Sequence, residues 1–207
     1  MDRNDANASP WFANLAIACA SYAGGVVGLL HFLNREYDPI TQPLSYHAVG
    51  MHGWLMTTAI LAFAVSVLAL AAALARSVPP LPRGGIALLF GAGAALAVAG
   101  IFPTDVTASN LPTTLAGAIH VAASYLASPC LVAAALLLSR SRSLAYALAL
   151  ASWAALVVLV FVNHFDLRFG GIAQRIFLAL VVLWVWVTAF RVRKSTSAEM
   201  DLTNRAF

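Results

Sequence analysis

Six apolar runs occupy most of this chain and constrain its fold more than any other feature of the sequence. Each run has about 18 residues or more, the length at which an apolar segment crosses a bilayer as a helix. Only 10% of the 207 residues are charged, whereas soluble domains carry about 25%. The sequence therefore predicts an all-α, polytopic membrane protein built as a bundle of six transmembrane helices. The runs cover about 11–33, 48–75, 85–103, 112–139, 144–164 and 170–191.

The segments between the runs are too short for a separate soluble domain, so residues 1–207 are predicted to form a single membrane domain with short tails. Their basic residues indicate a topology. With the N-terminus in the cytoplasm, nine of the twelve Lys and Arg residues fall on the cytoplasmic side, which is the bias of cytoplasmic loops. We therefore expect both termini in the cytoplasm, and we attribute the net charge of +4 to topology rather than to nucleic-acid binding. The nine are Arg3, Arg76, Arg83, Arg140, Arg142, Arg191, Arg193, Lys194 and Arg205.

All five histidines fall on the predicted outer side, and two of them lie deeper than a loop residue needs to be. If Ser45 caps and begins the second helix, His52 lies about 10 Å along it. If Pro112 occupies the first turn of the fourth helix, His120 lies about 12 Å along that one. Ionisable groups inside a membrane usually face the bundle interior or a wet cavity. We therefore expect His52 and His120 to face each other across a polar pocket that opens to the outer side.

A stripe of polar and small residues runs along the fourth predicted helix. Its members recur at spacings of three or four residues, which places them on one face of a helix. Small and hydroxylated residues also line contacts between membrane helices. For Ser124 and Ser128 the stripe therefore indicates either a pocket wall or a packing face. The members are Thr113, Gly117, His120, Ser124 and Ser128.

Arg175 lies about five residues into the sixth predicted helix, where a buried guanidinium needs either a carboxylate partner or a route to the interface. Asp105 follows Pro103 at the outer end of the third helix, from which it could reach inward. We therefore expect Asp105 to pair with Arg175, with Gln174 or His120 as a neighbour.

Three stretches, in this order, resemble the prokaryotic six-helix membrane family catalogued as domain of unknown function 998. They are "YDPITQPLSYHAVG" before the second run, "GIFPTD" followed by His120, and "GGIAQRIFLALVVLW" in the sixth run. The resemblance implies a six-helix fold in a prokaryotic inner (plasma) membrane, but no reaction. The chain is also distantly similar to eukaryotic six-helix proteins of the autophagy-modulator type, which implies association with membrane or lipid. The family pattern matches here at Ser45, Phe102, Pro103, Asp105, His120, Gly171, Gln174 and Arg175.

Two main hypotheses for function follow, and the sequence does not decide whether the protein is an enzyme. The first is that the protein binds a membrane lipid headgroup or small amphiphile at the outer side without a cofactor, alone, as a homo-oligomer or within a larger membrane complex. The residues expected to bind that ligand are Ser45, His52, Asp105, His120, Gln174 and Arg175.

The alternative hypothesis is a metal-dependent membrane hydrolase in which zinc activates water. Two further alternatives are a b-type haem held by His52 and His120, and a transporter. The expected zinc ligands are His52, His120, His164 and Asp105.

Overall fold

The described part of the chain is a bundle of six α-helices. A computed structural model describes residues 10–76, 81–107 and 112–205, with side chains as far as residue 195. A short 3₁₀ helix, Leu44–Ala48, precedes α2, and the described residues contain no strand. All six α-helices are long and apolar enough to cross a membrane, which confirms the predicted fold class. They are α1 (Trp11–Leu33), α2 (Gly53–Ala75), α3 (Arg83–Ile101), α4 (Leu115–Leu138), α5 (Leu144–His164) and α6 (Gly170–Arg205).

The helices pack in chain order. Each helix contacts the next one along the chain, and α1 also packs against α6. The α2 helix packs against α1, α3 and α6 and is the most buried, whereas α5 is the least buried. Alanines such as Ala16, Ala20 and Ala92 lie in the core beside Leu70 and Trp184, and small residues of this kind let membrane helices approach closely. The α4–α5 pair is the most loosely packed of the consecutive pairs.

The two ends of the bundle differ in chemistry. We call the end formed by residues 34–52, 102–107 and 165–169 the polar end, and the opposite end, with residues 139–143, the basic end. All five histidines lie at the polar end or in helix turns next to it. The basic end carries Arg76, Arg83, Arg140 and Arg142.

The second helix begins later than the sequence analysis expected. It starts at Gly53 rather than near residue 48, and Ser45 lies in the 3₁₀ helix instead of capping α2. The interruption lies at Gly50, whose φ of 92° is a left-handed conformation that glycine adopts readily. His52 is consequently the residue just before α2, at the polar end, and the predicted depth of about 10 Å is wrong.

The other helix bounds differ less. The α1 and α5 helices span the residues expected, and α3 begins and ends two residues earlier than expected. The α4 helix begins at Leu115 after the Thr114 cap rather than at Pro112, so His120 lies only about 8 Å along it. The α6 helix continues past residue 191 to Arg205 instead of ending in a short tail.

Candidate functional site

The start of α6 holds the loop that follows α1. The backbone N–H of Ile172 donates to the Ile40 carbonyl at 3.0 Å, and the N–H of Leu44 donates to Gln174 Oε1 at 2.6 Å. Arg175 Nη1 donates to the Gln42 carbonyl at 2.8 Å. The loop is therefore fixed at three points to one helical turn, which accounts for the Gln-Arg pair at this position.

Asp38 gives the same loop its internal structure. Its carboxylate accepts hydrogen bonds from the Ile40 N–H at 3.0 Å and from the Thr41 hydroxyl at 2.7 Å. A carboxylate that accepts such bonds is stabilised in its charged form. These bonds, with a smaller effect from the charge of Arg175, hold the pKa of Asp38 below its ordinary value. The turn stays compact and anionic, close to the guanidinium that anchors it.

Arg175 also joins a group of partly and fully buried histidines. Its Nε donates to His31 Nε2 at 2.9 Å, and His31 Nδ1 donates to the Val27 carbonyl at 2.7 Å. A carbonyl can only accept, so this geometry fixes the ring with its proton on Nδ1 and its lone pair towards Arg175. His31 therefore takes the position at Arg175 that the sequence analysis assigned to a carboxylate.

His47 is the most deeply buried member of this group. Its side chain is fully buried, its ring lies 5.2 Å from the ring of His31, and Asn34 Nδ2 donates to its Nδ1 at 3.3 Å. Burial, followed by repulsion from the nearby charge of Arg175, lowers the pKa of His47 to about 4, so the ring is neutral at pH 7. His52 Nδ1 donates to Asn34 Oδ1 at 2.8 Å, and Asn34 therefore links the two histidines.

Asp105 caps the fourth helix. Its Oδ2 accepts from the backbone N–H groups of Thr113 and Thr114 at 2.7 and 2.8 Å, and its Oδ1 accepts from the Thr114 hydroxyl at 2.9 Å. A carboxylate is favoured at the positive end of a helix. The two backbone bonds lower the pKa of Asp105, so the group is anionic and its bonds go to α4.

His120 is held by the end of α3. Its Nδ1 donates to the carbonyls of Ala99 and Phe102 at 2.8 and 3.0 Å, two of the groups that a helix C-terminus leaves without partners. Because Nδ1 is the donor, the neutral ring carries its lone pair on Nε2. The side chain is 5% exposed and lines a cavity. His120 is therefore a fixed ring with one acceptor atom available.

This cavity lies between α4, α5, the first turn of α6 and the loop that follows α1. Its volume is about 380 Å³, which falls within the range of small-molecule sites. Polar residues line it at the polar end, and apolar residues of α4 and α5 line it further along. The polar part includes Thr41, Ser45, Thr104, Asp105, His120, Asn163, Asp166 and Gln174. The apolar part includes Val121, Pro129, Leu156, Leu159 and Val160.

Four of the six residues expected to bind a ligand line this cavity, namely Ser45, Asp105, His120 and Gln174. The other two, His52 and Arg175, belong to the group around Asn34 and His31. Of the helix 4 stripe, Ser124 and Ser128 line the cavity together with His120. Whether the cavity binds a ligand stays a prediction.

The expected pairing of Asp105 with Arg175 is wrong. The oxygens of Asp105 point to the start of α4, and the guanidinium of Arg175 points to His31 and the loop after α1. The physical reason is competition from nearer partners. Backbone N–H groups lie directly beside the carboxylate, and a fixed loop carbonyl lies directly beside the guanidinium.

His52 and His120 do not line one pocket, because His120 lines the cavity whereas His52 lies outside the lining and bonds to Asn34. The α2 helix packs against α1, α3 and α6, whereas α4 packs mainly against α3 and α5. His164 lies exposed against the edge of Phe165. Among the described residues, no group of three or more His, Cys, Asp or Glu side chains is placed to hold a metal ion. The expected zinc set of His52, His120, His164 and Asp105 does not form such a group in this part of the chain, and binding of zinc or haem stays a prediction.

Several residues of the polar end escaped the sequence analysis. His31 and Asn34 lie three residues apart at the end of α1, on one side of the helix, and this spacing could have indicated a polar face. His47 gave no such signal because its burial depends on how the loop folds. Asn163 and Asp166 line the cavity. Because they lie beside the solvated turn after α5, the sequence did not distinguish them from ordinary turn residues.

The fold and the chemistry of the polar end together define the class of this protein. It is a multi-pass, six-helix membrane protein with a cavity near one end. Residues 16–191 match the family model described as Protein of unknown function (DUF998), and the chain belongs to this family. Comparisons with curated proteins and with solved structures find no significant match. The three stretches that carry the resemblance lie in two contacts, one between the loop after α1 and the start of α6, the other between the end of α3 and the start of α4.

Proposed function

We propose that the cavity between α4 and α5 binds the polar end of a membrane lipid or small amphiphile. The supporting observation is the change of lining along the cavity. Asn163 and Gln174 lie near the polar end, whereas Leu156 lies eight residues before the end of α5, about 12 Å deeper. A ligand with a polar group and an apolar chain matches both parts of this lining.

The loose packing of α4 against α5 supports access from the membrane. Tyr125 and Val160 line the cavity and are also largely exposed on the lipid-facing surface. Pro129 lies inside α4 and also lines the cavity, and a proline within a helix kinks it or breaks its hydrogen-bond ladder. A chain could therefore enter sideways between the helices, and about 380 Å³ accommodates one headgroup with part of one chain.

The binding test uses a variant that fills the cavity. A single-chain phospholipid is titrated onto the purified protein in a nonionic detergent, and the bound fraction is measured by native mass spectrometry. Ser124→Trp should weaken binding by about tenfold or more, equivalent to about 1.4 kcal/mol. Leu126→Trp is the matched control, since Leu126 is 58% exposed on the same helix and lies outside the cavity lining. Equal binding by both variants and the parent protein would contradict the proposal.

A hydrolase is the second candidate, and one observation favours it. His120 has its Nδ1 fixed by backbone carbonyls and its Nε2 available, in a cavity that also contains the hydroxyls of Ser45 and Ser124. A histidine held in this way can act as a general base. Incubating the protein with the same phospholipid distinguishes the two candidates, since a binding protein returns the lipid intact and a hydrolase releases a fragment.

We further propose that the protein lies in a prokaryotic inner membrane with both termini in the cytoplasm and the polar end outside. The arginines of the basic end support this orientation. A membrane lipid is the proposed partner and no nucleic acid is involved; a homo-oligomer or larger membrane complex is compatible with this arrangement.

The orientation predicts which introduced cysteines react with an impermeant thiol reagent in intact cells. With Cys19 and Cys130 replaced by Ala, Thr41→Cys should be labelled, because residue 41 is exposed at the polar end. Ser141→Cys should be labelled only after permeabilisation, although residue 141 is equally exposed. Ser77, which would report on the loop after α2, lies outside the described residues. The reverse labelling pattern would place the polar end in the cytoplasm.

A further inference from the structure

The charges that line the cavity have one sign. Among the described residues of the lining, Asp105 and Asp166 carry carboxylates and no lysine or arginine contributes. Arg175 follows Gln174 in α6, but its guanidinium bonds to His31 and the Gln42 carbonyl outside the lining. An anionic group placed here would lose water and gain no cation in exchange, which is costly. The lining therefore disfavours a ligand whose only charge is negative.

The two carboxylates are not equivalent. The oxygens of Asp105 accept from the start of α4, so the positive end of that helix already offsets its charge. Asp166 has a left-handed φ of 49°, and among the described residues no hydrogen bond or ion pair reaches its carboxylate. Arg168 follows two residues later and forms no ion pair with it within this part of the chain. Asp166 is thus the anion at the cavity mouth that is available to a ligand.

Two acceptors belong to residues that line the cavity further in. The Nε2 atom of His120 carries the lone pair of the neutral ring, and no bond to it forms among the described residues. Pro129 has no N–H, so the carbonyl of Tyr125, four residues earlier, lacks its usual helical partner. Both Tyr125 and Pro129 line the cavity. These acceptors match hydroxyl or amide N–H groups, whereas a phosphate or carboxylate would bring acceptors only.

We infer that the cavity selects an amphiphile whose polar end is an ammonium group, which pairs with Asp166 while its chain lies against Leu156 and Leu159. This inference rests on the proposed binding function and adds the chemical class of the ligand. The ammonium could belong to a free long-chain amine or to an aminolipid headgroup.

Chain-matched probes test the inference. Decylammonium, decanoate, decanol and lysophosphatidylethanolamine are titrated separately at neutral pH, with binding read by native mass spectrometry as for the phospholipid. Decylammonium should bind about tenfold more tightly than decanoate, a difference of about 1.4 kcal/mol. If lysophosphatidylethanolamine binds as tightly as decylammonium, the source includes aminolipids; if only decylammonium binds tightly, the source is a free amine. Both results support selection of an ammonium group.

Two matched variants assign the selectivity to one carboxylate. Asp166→Asn should weaken decylammonium binding about tenfold and leave decanol binding unchanged. Glu36→Gln removes the same charge from an exposed residue of the polar end outside the lining, and it should change neither affinity. Equal affinities of the parent protein for decylammonium and decanoate would overturn the ammonium inference alone. Failure of every probe to bind saturably would overturn the proposed binding function itself.

Discussion

Gly171→Ala should destabilise the protein by about 3 kcal/mol, the upper part of the range for overpacking a close contact. A Cβ at this position would lie 2.5 Å from the Gln42 carbonyl oxygen and 2.8 Å from the Gln42 nitrogen and the Pro39 oxygen. All three are backbone atoms of the loop that follows α1. They cannot move aside as the end of a flexible side chain can. The loop must therefore shift, and the bonds from Ile172 and Arg175 to it weaken with that shift.

Gly170→Ala is the matched control for this prediction. The added Cβ would meet only the side-chain oxygen of Asn163, at 2.8 Å, and Asn163 is exposed and free to rotate. Alanine is also the better helix former, by about 1 kcal/mol in a helix interior. Unfolding by SDS titration in mixed micelles should therefore show a large loss for residue 171 and a change below about 0.5 kcal/mol for residue 170. Similar losses for both would mean that the loop does not rest on Gly171.

The fold followed from the sequence because one force dominates it. An apolar run of about 18 residues has few structures available in a bilayer other than a helix. The hydrophobic pattern alone was therefore enough to predict the bounds of α1 and α5. The start of α2 was predicted wrongly because it depends on the backbone conformation of one residue. Gly50 adopts a φ of 92°, and the apolar pattern does not reveal that conformation.

The sequence predicted only part of the candidate site, because the packing of the helices decides which residues come together. Asp105, His120 and Gln174 were placed at one end of the bundle by topology, and they do line one cavity. Which residues touch depends on which helices are neighbours, and the sequence does not specify that α2 packs away from α4. His52 therefore does not line the cavity with His120, although both residues lie at the end of the bundle where they were expected.

The hydrogen-bond partners of Arg175 could not be predicted from the sequence for a related reason. A buried guanidinium was expected to find a carboxylate, but His31, Gln42 and Gly171 supply a ring nitrogen and two carbonyls within 3.0 Å. Backbone carbonyls leave no trace in the sequence as potential partners. The remaining nitrogen, Nη2, is buried and forms no hydrogen bond with the described residues, and the same holds for Nε2 of His47 in the same group. The group therefore keeps this arrangement although these two nitrogen atoms lack hydrogen-bond partners among the described residues.

Arg175→Met should destabilise the protein by about 2–4 kcal/mol, because it leaves His31 Nε2 and the Gln42 carbonyl without their donor. Hydrogen bonds to a charged group contribute about 1.5–3 kcal/mol each, and relief from burying the guanidinium offsets part of that sum. Arg175→Lys should recover less than half of the loss, since an ammonium is a point charge without the planar fork that reaches the ring and the carbonyl together. SDS titration of the three proteins measures the order. Full recovery with lysine would show that charge alone, rather than the fork, fixes the loop.

A double-mutant cycle with Asp105→Ala then tests whether the two ends of the site act separately. Asp105 bonds to Thr113 and Thr114, and Arg175 bonds to His31, Gln42 and Gly171, so the two residues share no hydrogen-bond partner. Losses at sites without shared partners usually add within about 0.3–0.5 kcal/mol. The double variant Asp105→Ala, Arg175→Met should therefore lose the sum of the two single losses. A double loss smaller than that sum by 1 kcal/mol or more would mean that the carboxylate and the guanidinium interact after all, and that the cap of α4 and the loop on α6 form one unit.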